Sequence, residues 1–209
     1  MTAPNQHWNA LFTGKSDREL GWYESDATQT LKFIDMIPDI SEATIFLPGA
    51  GTSVLADALL PRCSHIVLND ISDEALRKLA ARVGANQEKV SWLHHDMNRP
   101  LPPGIPFVDV WIDRAVLHFM LDEADIRACF DNLRSVLKVD GYVLLAEFAA
   151  DGAPKCAGLE LHRYSVEEMT ERLGPDFILL HEERYMFINP LGDSRPYIYA
   201  FYKRIGHSL

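Results

Sequence analysis

Small residues and carboxylates stand where the apolar segments of this 209-residue chain end. Gly49 and Gly51 follow one short apolar run, and Asp70, Asp96 and Asp113 each close a later one. Apolar runs without polar alternation are typical of strands that are buried on both faces of a parallel sheet. Because ligands of open parallel sheets bind beyond the carboxyl ends of the strands, these residues are predicted to share one rim. A glycine turn there exposes backbone N–H groups to a ligand, and the carboxylates accept its hydroxyl and amino hydrogens.

The spacing between the glycine turn and the first acid indicates a nucleoside ligand. Asp70 follows Gly51 by 70 − 51 = 19 positions, close to the ~20 that lets an acid at the end of a second strand reach a ribose diol. We expect Asp96 to lie farther out, near the adenine amino group. The dinucleotide fingerprint requires a third glycine, and Val54 stands in its place. The pattern therefore favours S-adenosylmethionine over NAD.

The elements that must position these residues alternate along the chain. Apolar runs predict strands at residues 45–47, 65–70, 90–94, 107–112, 142–148, 177–188 and 196–203, with helices at 54–59, 73–84, 122–138 and 166–173. This order predicts an α/β, doubly wound, Rossmann-like sheet of seven strands, mostly parallel, with a C-terminal antiparallel hairpin. We expect a single domain over residues 1–209, in which 1–40 form a helical lid and 41–209 form the cofactor-binding core.

Composition restricts the partners. Lys and Arg number 20 and Asp and Glu number 30, which gives a net charge of −10 and argues against nucleic acid or an anionic membrane. The three cysteines form no C-x-x-C pair, and His94 and His95 point to opposite faces of a strand, so no metal site is predicted. The N-terminal residues lack a signal-peptide pattern, and we expect a cytoplasmic protein. The oligomeric state is not predicted.

On these residues the sequence resembles the class I S-adenosylmethionine-dependent methyltransferases, over almost the whole chain. The matching pieces are residues 47–53, 69–72, Asp96 and 108–119. Residues 113–117 are similar to the fourth motif of the thiopurine methyltransferase branch. His7-Trp8 and Gly21-Trp22-Tyr23 resemble the lid that begins many small-molecule members.

The resemblance implies S-adenosylmethionine as the cofactor and S-adenosylhomocysteine as the product. The expected cofactor-binding residues are Trp22, Pro48, Gly49, Gly51, Asp70, Ile71, Asp96, Met97, Asp113 and Arg114. The expected acceptor pocket comprises Trp22, Tyr23, Cys156, Arg163 and Tyr164. Structural alternatives are core packing for Trp22, Tyr23 and Tyr164, an ion pair for Asp113 with Arg114, a buried hydrogen-bonded role for His118 and an inert thiol for Cys156.

Two departures from the family pattern bear on the site. Leu47 stands where the first motif usually has an acid, and Ser53 stands where it often has glycine. We expect the Gly49 carbonyl and the Asp113 carboxylate to hold the cofactor's ammonium group instead. For a hydroxyl or carboxyl acceptor, Asp113 or His118 is the predicted catalytic base, whereas a thiolate needs none.

The predicted activity is methyl transfer to a small-molecule acceptor, with a thiol or other soft nucleophile favoured. A protein lysine or carboxylate substrate remains open. The alternatives are an NAD-dependent oxidoreductase, which shares Gly49, Gly51 and Asp70, and a non-catalytic adapter that retains the cofactor-binding fold.

Overall fold

The computed structural model describes residues 4–206, and a seven-stranded sheet forms the centre of this part of the chain. The strands are β1 (Thr44–Leu47), β2 (His65–Asp70), β3 (Val90–His94), β4 (Val108–Arg114), β5 (Leu137–Phe148), β6 (Lys155–Cys156), β7 (Leu159–Glu160), β8 (Phe177–Ile188) and β9 (Ser194–Arg204). β6 and β7 form a separate short hairpin, and the other seven strands have the order β3-β2-β1-β4-β5-β9-β8.

Helices cover both faces of this sheet. They are α1 (Pro4–Gly14), α2 (Thr28–Ile34), α3 (Val54–Leu59), α4 (Asp73–Val83), α5 (Glu123–Val136) and α6 (Val166–Leu173). Short 3₁₀ turns lie at Asp17–Glu19, Ile40–Glu42, Gly84–Lys89 and Leu117–Phe119. No helix within residues 4–206 combines the length and the apolar character needed to cross a membrane.

Strand direction places a crevice at one edge of the sheet. The pairs among β1 to β5 are parallel, whereas β9 is antiparallel to both β5 and β8. This confirms the predicted Rossmann-like sheet and its C-terminal antiparallel hairpin. From β1 the chain proceeds through β2 and β3 on one side, and β4 and β5 lie on the other. The carboxyl ends of β1 and β4 therefore flank the point where the strand order reverses, which is where such sheets bind ligands.

β1 illustrates why the strand sequences are apolar throughout. Ile45 and Leu47 pack into the core on the side of α2 and α3, whereas Phe46 packs on the side of α5. Phe46 stacks on Trp111 of β4, with the ring centroids 4.5 Å apart. Because alternate residues enter two different cores, no polar position is left on either face.

Serine caps begin three of the helices and support the predicted starts. The side chains of Ser53, Ser72 and Ser165 accept hydrogen bonds from the backbone N–H groups of Leu55, Ala75 and Glu168. Each cap satisfies a backbone donor that has no partner within its own helix.

Several predicted boundaries differ from the structure, chiefly where α5 meets β5. α5 ends at Val136 and not at Lys138, because Leu137 is extended and pairs with Val108 of β4. The 149–164 loop contains the β6–β7 hairpin, which its sequence did not predict. The predicted lid and core assignment of residues 1–40 and 41–209 includes positions 1–3 and 207–209, which lie outside the described residues.

Candidate functional site

A cavity of about 760 Å³ opens at the carboxyl ends of β1 to β4, within the roughly 300–1,000 Å³ of small-molecule sites. One wall consists of the loops that follow these strands, and the other is the N-terminal segment of residues 4–26. From here on, the lid means this segment, which is part of the predicted lid of residues 1–40. Most of the predicted site residues line it together: Trp22, Tyr23, Pro48, Gly49, Gly51, Asp70, Ile71, Asp96, Met97 and Arg114.

The glycine turn is closely packed by neighbouring side chains. Gly49 and Gly51 have φ angles of +53° and +52°, in the left-handed region that favours glycine. A Cβ atom at Gly49 would lie 2.3 Å from a methyl group of Val116, and one at Gly51 would lie 3.3 Å from the Phe12 ring. The glycines therefore make room for Val116 and Phe12, in addition to leaving the backbone open to a ligand.

Asp70 is held by the backbone at the end of β2. Its two carboxylate oxygens accept hydrogen bonds from the N–H groups of Gly51 and Ser72, each at 2.8 Å. Burial raises the pKa of Asp70 to about 6, and these two N–H groups act in the opposite direction. Each carboxylate oxygen keeps a second lone pair, so the group has acceptor capacity left for ligand hydroxyls.

The end of β3 lies beside Asp70. The His95 N–H donates to the Asp70 carbonyl at 3.1 Å, and the amide of Asn69 donates to the carbonyls of Leu93 and His95. Asp96 follows, and one of its oxygens accepts from the Asn98 N–H at 3.0 Å. This network places the Asp96 and Asp70 carboxylates on the same wall of the cavity.

The lid is bonded to several parts of the cavity rim. Asn9 of α1 accepts from the Ser72 hydroxyl at 2.5 Å and donates to Asp73 at 2.6 Å. Asp17 accepts from the Thr52 hydroxyl at 2.6 Å. These bonds connect the lid to the glycine turn and to the start of α4, so its position depends on the residues that form the cofactor side of the cavity.

Arg114 connects the lid to β8 and β9 at the antiparallel edge of the sheet. Its guanidinium lies 2.8 Å from Glu24 and donates to the Trp22 carbonyl at 3.1 Å. The same group lies over the rings of Phe187 and Tyr197, 5.2 and 5.0 Å from their centroids. Since Glu24 balances its charge, Arg114 contributes no net positive charge at this end of the cavity.

Aromatic rings form the wall between the lid and the turn after β4. The Trp8 ring meets Phe119 and Trp22 edge to face, with centroids 4.8 and 5.6 Å apart. Phe12 meets Trp22 at 6.2 Å. The exposed ring faces of such a wall attract cations and apolar groups.

Asp113 and His118, predicted as cofactor ligand and catalytic base, lie beneath the cavity floor. Their exposed fractions are 1% and 0%, and neither side chain lines the cavity. Neighbouring residues of a strand point to opposite faces, and on β4 it is Arg114 that faces the cavity. Asp113 points toward α5 and accepts from the N–H groups of Val116 and Leu117, each at 3.3 Å.

The predicted acceptor residues after β5 also lie away from the cavity. Tyr164 is fully buried in the core on the side of α5 and α6. Arg163 is exposed and donates to the Gly152 carbonyl at 3.1 Å. Cys156 is half-buried on β6, where burial raises the pKa of its thiol. Cys156 lies away from the cavity because the β6–β7 hairpin brings Leu159 to the cavity instead.

Several cavity residues were not predicted from the sequence. Phe12, Glu24, Val116, Phe119 and Leu159 all line the cavity. Phe12 shares one helical face with Trp8, a pattern equally typical of core packing. The others come from loops, a 3₁₀ turn and the short strand β7, where composition does not indicate which side chains point inward.

Comparison with known proteins supports a methyltransferase. Residues 48–143 match a family model described as a methyltransferase domain. No curated protein gives a significant sequence match. The matched region contains the glycine turn, Asp70, Asp96 and the turn after β4.

Solved structures share the fold over nearly the whole chain. The S-adenosylmethionine-dependent methyltransferase from Anabaena variabilis is 16% identical, with a TM-score of 0.77, covering 96% of this chain and 93% of that one. The N-methyltransferase NodS from Bradyrhizobium japonicum WM9, in complex with S-adenosylhomocysteine, is 12% identical, with a TM-score of 0.71 and coverages of 96% and 97%. A structure from work on the conversion of a disulfide bond into a thioacetal group during echinomycin biosynthesis is 13% identical, with a TM-score of 0.75 and coverages of 99% and 93%. At these identities the likeness concerns the fold alone.

Proposed function

We propose that this chain transfers the methyl group of S-adenosylmethionine to a small-molecule acceptor. The observation that carries the proposal is the Asp70 carboxylate, buried beside the glycine turn on the wall of a cavity large enough for a nucleoside. The structural likeness to NodS, which was solved with S-adenosylhomocysteine, supports this choice of cofactor.

The residues present fit the cofactor at its nucleoside end. Asp70 is the acceptor for the ribose hydroxyls, and Ile71, Asp96 and Met97 form the wall for the adenine. The glycines keep the turn free of side chains that would fill this part of the cavity.

The amino-acid end of the cofactor requires an anionic and a cationic partner. Leu47 lines the cavity where the family pattern has an acid, and Asp113 is buried beneath the floor. Glu24 and Arg114 are the oppositely charged pair on the β4 side of the cavity. We assign the ammonium and carboxylate groups of the cofactor to this pair and to the carbonyl of Gly49.

The catalytic contribution of the protein is positioning and exclusion of water. When bound, S-adenosylmethionine supplies a methyl group that is already strongly electrophilic. The lid and the aromatic wall of Trp8, Trp22 and Phe119 hold the acceptor atom in line and close the site to solvent. Such positioning supplies roughly 7–11 kcal/mol of barrier lowering.

We favour a soft acceptor, for which the titratable groups that line the cavity, His7 and His95 among them, are not needed as bases. Neither Asp113 nor His118, the predicted bases, lines the cavity. A thiolate needs no base, and its sulfur packs well against aromatic rings. The similarity of residues 113–117 to the thiopurine methyltransferase branch, and the fold shared with a structure from work on disulfide-to-thioacetal conversion, support a sulfur acceptor.

Ligand binding tests the proposal directly. In a thermal-shift measurement, S-adenosylhomocysteine should raise the unfolding temperature more than adenosine does, because adenosine lacks the amino-acid end. Stabilisation by NADH without stabilisation by S-adenosylhomocysteine would replace the proposal with a dehydrogenase.

Transfer of labelled methyl groups identifies the acceptor class. We expect thiols to be methylated in preference to phenols, carboxylic acids and metalloid oxyanions of similar size. Methylation of proteins alone would contradict a small-molecule acceptor. Binding of the cofactor without transfer to any class would favour the non-catalytic adapter.

A further inference from the structure

Three titratable side chains are buried together beneath the cavity floor. Asp113 is the second-last residue of β4, Glu147 is the second-last residue of β5, and His118 lies in the turn that follows β4. Their exposed fractions are 1%, 0% and 0%. Buried charges destabilise a protein unless they are paired, so a cluster of this kind requires a reason.

The two carboxyl groups hold the turn of residues 115–119 by its backbone. Asp113 accepts from the N–H groups of Val116 and Leu117, and Glu147 accepts from the N–H of His118, all at 3.3 Å. The His118 imidazole Nδ1 lies 2.7 Å from the same Glu147 oxygen. Three consecutive N–H groups are therefore bonded to two carboxyl groups from neighbouring strands, and the His118 ring lies in contact with one of them.

The opposite side of this turn faces the cavity. Val116 packs against Gly49 of the glycine turn, and Phe119 meets Trp8 of the lid at 4.8 Å. Ala115, which begins the turn, has a φ of +64°, a conformation that costs energy for any residue with a side chain. The turn holds this conformation in the protein because the bonds beneath it compensate for the strain.

The two carboxyl groups need a proton between them. Asp113 Oδ2 and Glu147 Oε1 have no hydrogen-bond donor among residues 4–206, and two ionised carboxylates in contact repel each other. Burial raises the pKa of Glu147 to about 8, and burial together with the charge of Glu147 raises the pKa of Asp113. At neutral pH the pair is therefore protonated, and Glu147 loses its proton between pH 7 and pH 9.

The other groups near Glu147 do not titrate between pH 7 and 9. Burial lowers the pKa of His118 to about 3 and raises the pKa values of Cys129, Tyr164 and Tyr197. Arg114 stays charged at any pH in this range. A change of the cluster in this window thus belongs to the Asp113–Glu147 pair.

We propose that Glu147, acting with Asp113, is a positioning residue that fixes the 115–119 turn between the glycine turn and the lid and so preorganises the cofactor cavity. The inference rests on the proposed function for the identity of the ligand. Its physical content is that the protonated pair keeps Val116 and Phe119 in place, whereas loss of the proton loosens the turn.

Three variants separate the positioning of the turn by Glu147 from a general effect on the stability of the fold. Glu147→Gln keeps an acceptor for His118 and offers an amide N–H to Asp113 in place of the shared proton, so it should retain the turn without titrating. Glu147→Leu removes these bonds. Leu173→Ala, in the core at the end of α6, is the matched control, because it destabilises the fold at a buried position that makes none of the hydrogen bonds of the turn.

Calorimetric binding of S-adenosylhomocysteine is the principal measurement. At pH 7 we expect Glu147→Leu to weaken binding about tenfold or more, and Glu147→Gln and Leu173→Ala to bind like the wild type. Between pH 7 and pH 9 the wild type should lose more affinity than Glu147→Gln, because the amino group of the ligand titrates equally with both proteins. Equal affinities for wild type and Glu147→Leu, or parallel pH profiles for wild type and Glu147→Gln, would overturn the proposal.

Amide hydrogen exchange of residues 115–119 gives a second readout that needs no ligand. Exchange should accelerate in the wild type at pH 9 relative to Glu147→Gln, after correction for the intrinsic pH dependence. Should the wild type fail to bind S-adenosylhomocysteine, the proposed function fails, and the exchange data alone decide whether Glu147 positions the turn. Equal protection of residues 115–119 in the wild type and in Glu147→Gln at pH 9 would then refute the inference.

Discussion

Asp70 combines a structural and a ligand-binding task in one carboxylate. It satisfies the N–H groups of Gly51 and Ser72, and so orients the glycine turn and the start of α4 toward each other. Because both bonds are accepted, the carboxylate must be ionised to retain full acceptor capacity for a ligand. The burial that makes the site specific also raises the pKa of the Asp70 carboxyl group to about 6.

S-adenosylhomocysteine should bind more weakly as the pH falls from 7 to 5. If the ionised form of Asp70 binds and the protonated form does not, a pKa of about 6 gives a loss of about tenfold. Titration calorimetry across this range measures the effect. Asp96→Asn and His95→Gln, which change neighbouring groups of the cavity, should show the same dependence, and an affinity independent of pH would contradict the assigned role.

The lid depends on the start of α4 for its attachment. Ser72 caps α4 through its oxygen and donates its hydroxyl hydrogen to Asn9 of α1. One side chain therefore stabilises a helix and holds the lid. Ser165 caps α6 in the same way, through the Glu168 N–H, at a place where no lid is attached.

Replacing the two serines should separate these tasks. Ser72→Ala and Ser165→Ala should each lower the free energy of unfolding by about 1 kcal/mol, the usual value of a helix cap. Ser72→Ala should also weaken S-adenosylhomocysteine binding about threefold or more, because α1 loses one of its bonds to the rim. Denaturant unfolding and calorimetry measure the two effects. Equal binding by both variants would show that the Asn9 contact does not hold the lid.

Across the whole molecule, polar groups are buried mainly where the sheet meets the cavity. Glu147, Asp113 and His118 lie below the floor, and Arg114 joins β4 to the lid, β8 and β9. The central strands elsewhere are packed by apolar side chains on both faces. The stability of the fold should therefore respond to pH through these few groups.

The wild type should become less stable as the pH rises from 6.5 to 8. The folded state keeps a proton on Glu147, with a pKa of about 8, whereas the unfolded chain has lost it above the ordinary value of 4.5. The folded state thus binds more protons in this window, and stability falls with pH. Burial lowers the pKa of His118 from its ordinary value of 6.5 to about 3. The contribution of His118 to stability therefore increases with pH only up to about that ordinary value.

Thermal unfolding of the wild type and Glu147→Gln tests this expectation. The amide cannot titrate, so the variant should show a flatter profile between pH 6.5 and 8, a range below the ordinary thiol value of 9.0. A wild-type profile as flat as that of the variant would mean that Glu147 is ionised in the folded protein.

Local signals in the chain were sufficient for the sheet, the helix caps and the nucleoside side of the cavity. Apolar runs, serine caps and the spacing from Gly51 to Asp70 depend on neighbours within about twenty residues. Such patterns identify strands and helices because side-chain periodicity and backbone capping are local properties. The residues that close β1 to β4 could be assigned to one rim for the same reason.

The role of each residue on that rim was decided by contacts that are distant in sequence. Asp113 and Arg114 are adjacent on β4 and point to opposite faces, and only the position of the lid determines which face is the cavity. Glu147 was overlooked because a single acid in an apolar strand has no local partner, and its partners lie about thirty residues earlier. The β6–β7 hairpin likewise turns Cys156 away and Leu159 inward. Packing between distant segments sets these directions, and no periodicity of the sequence encodes them.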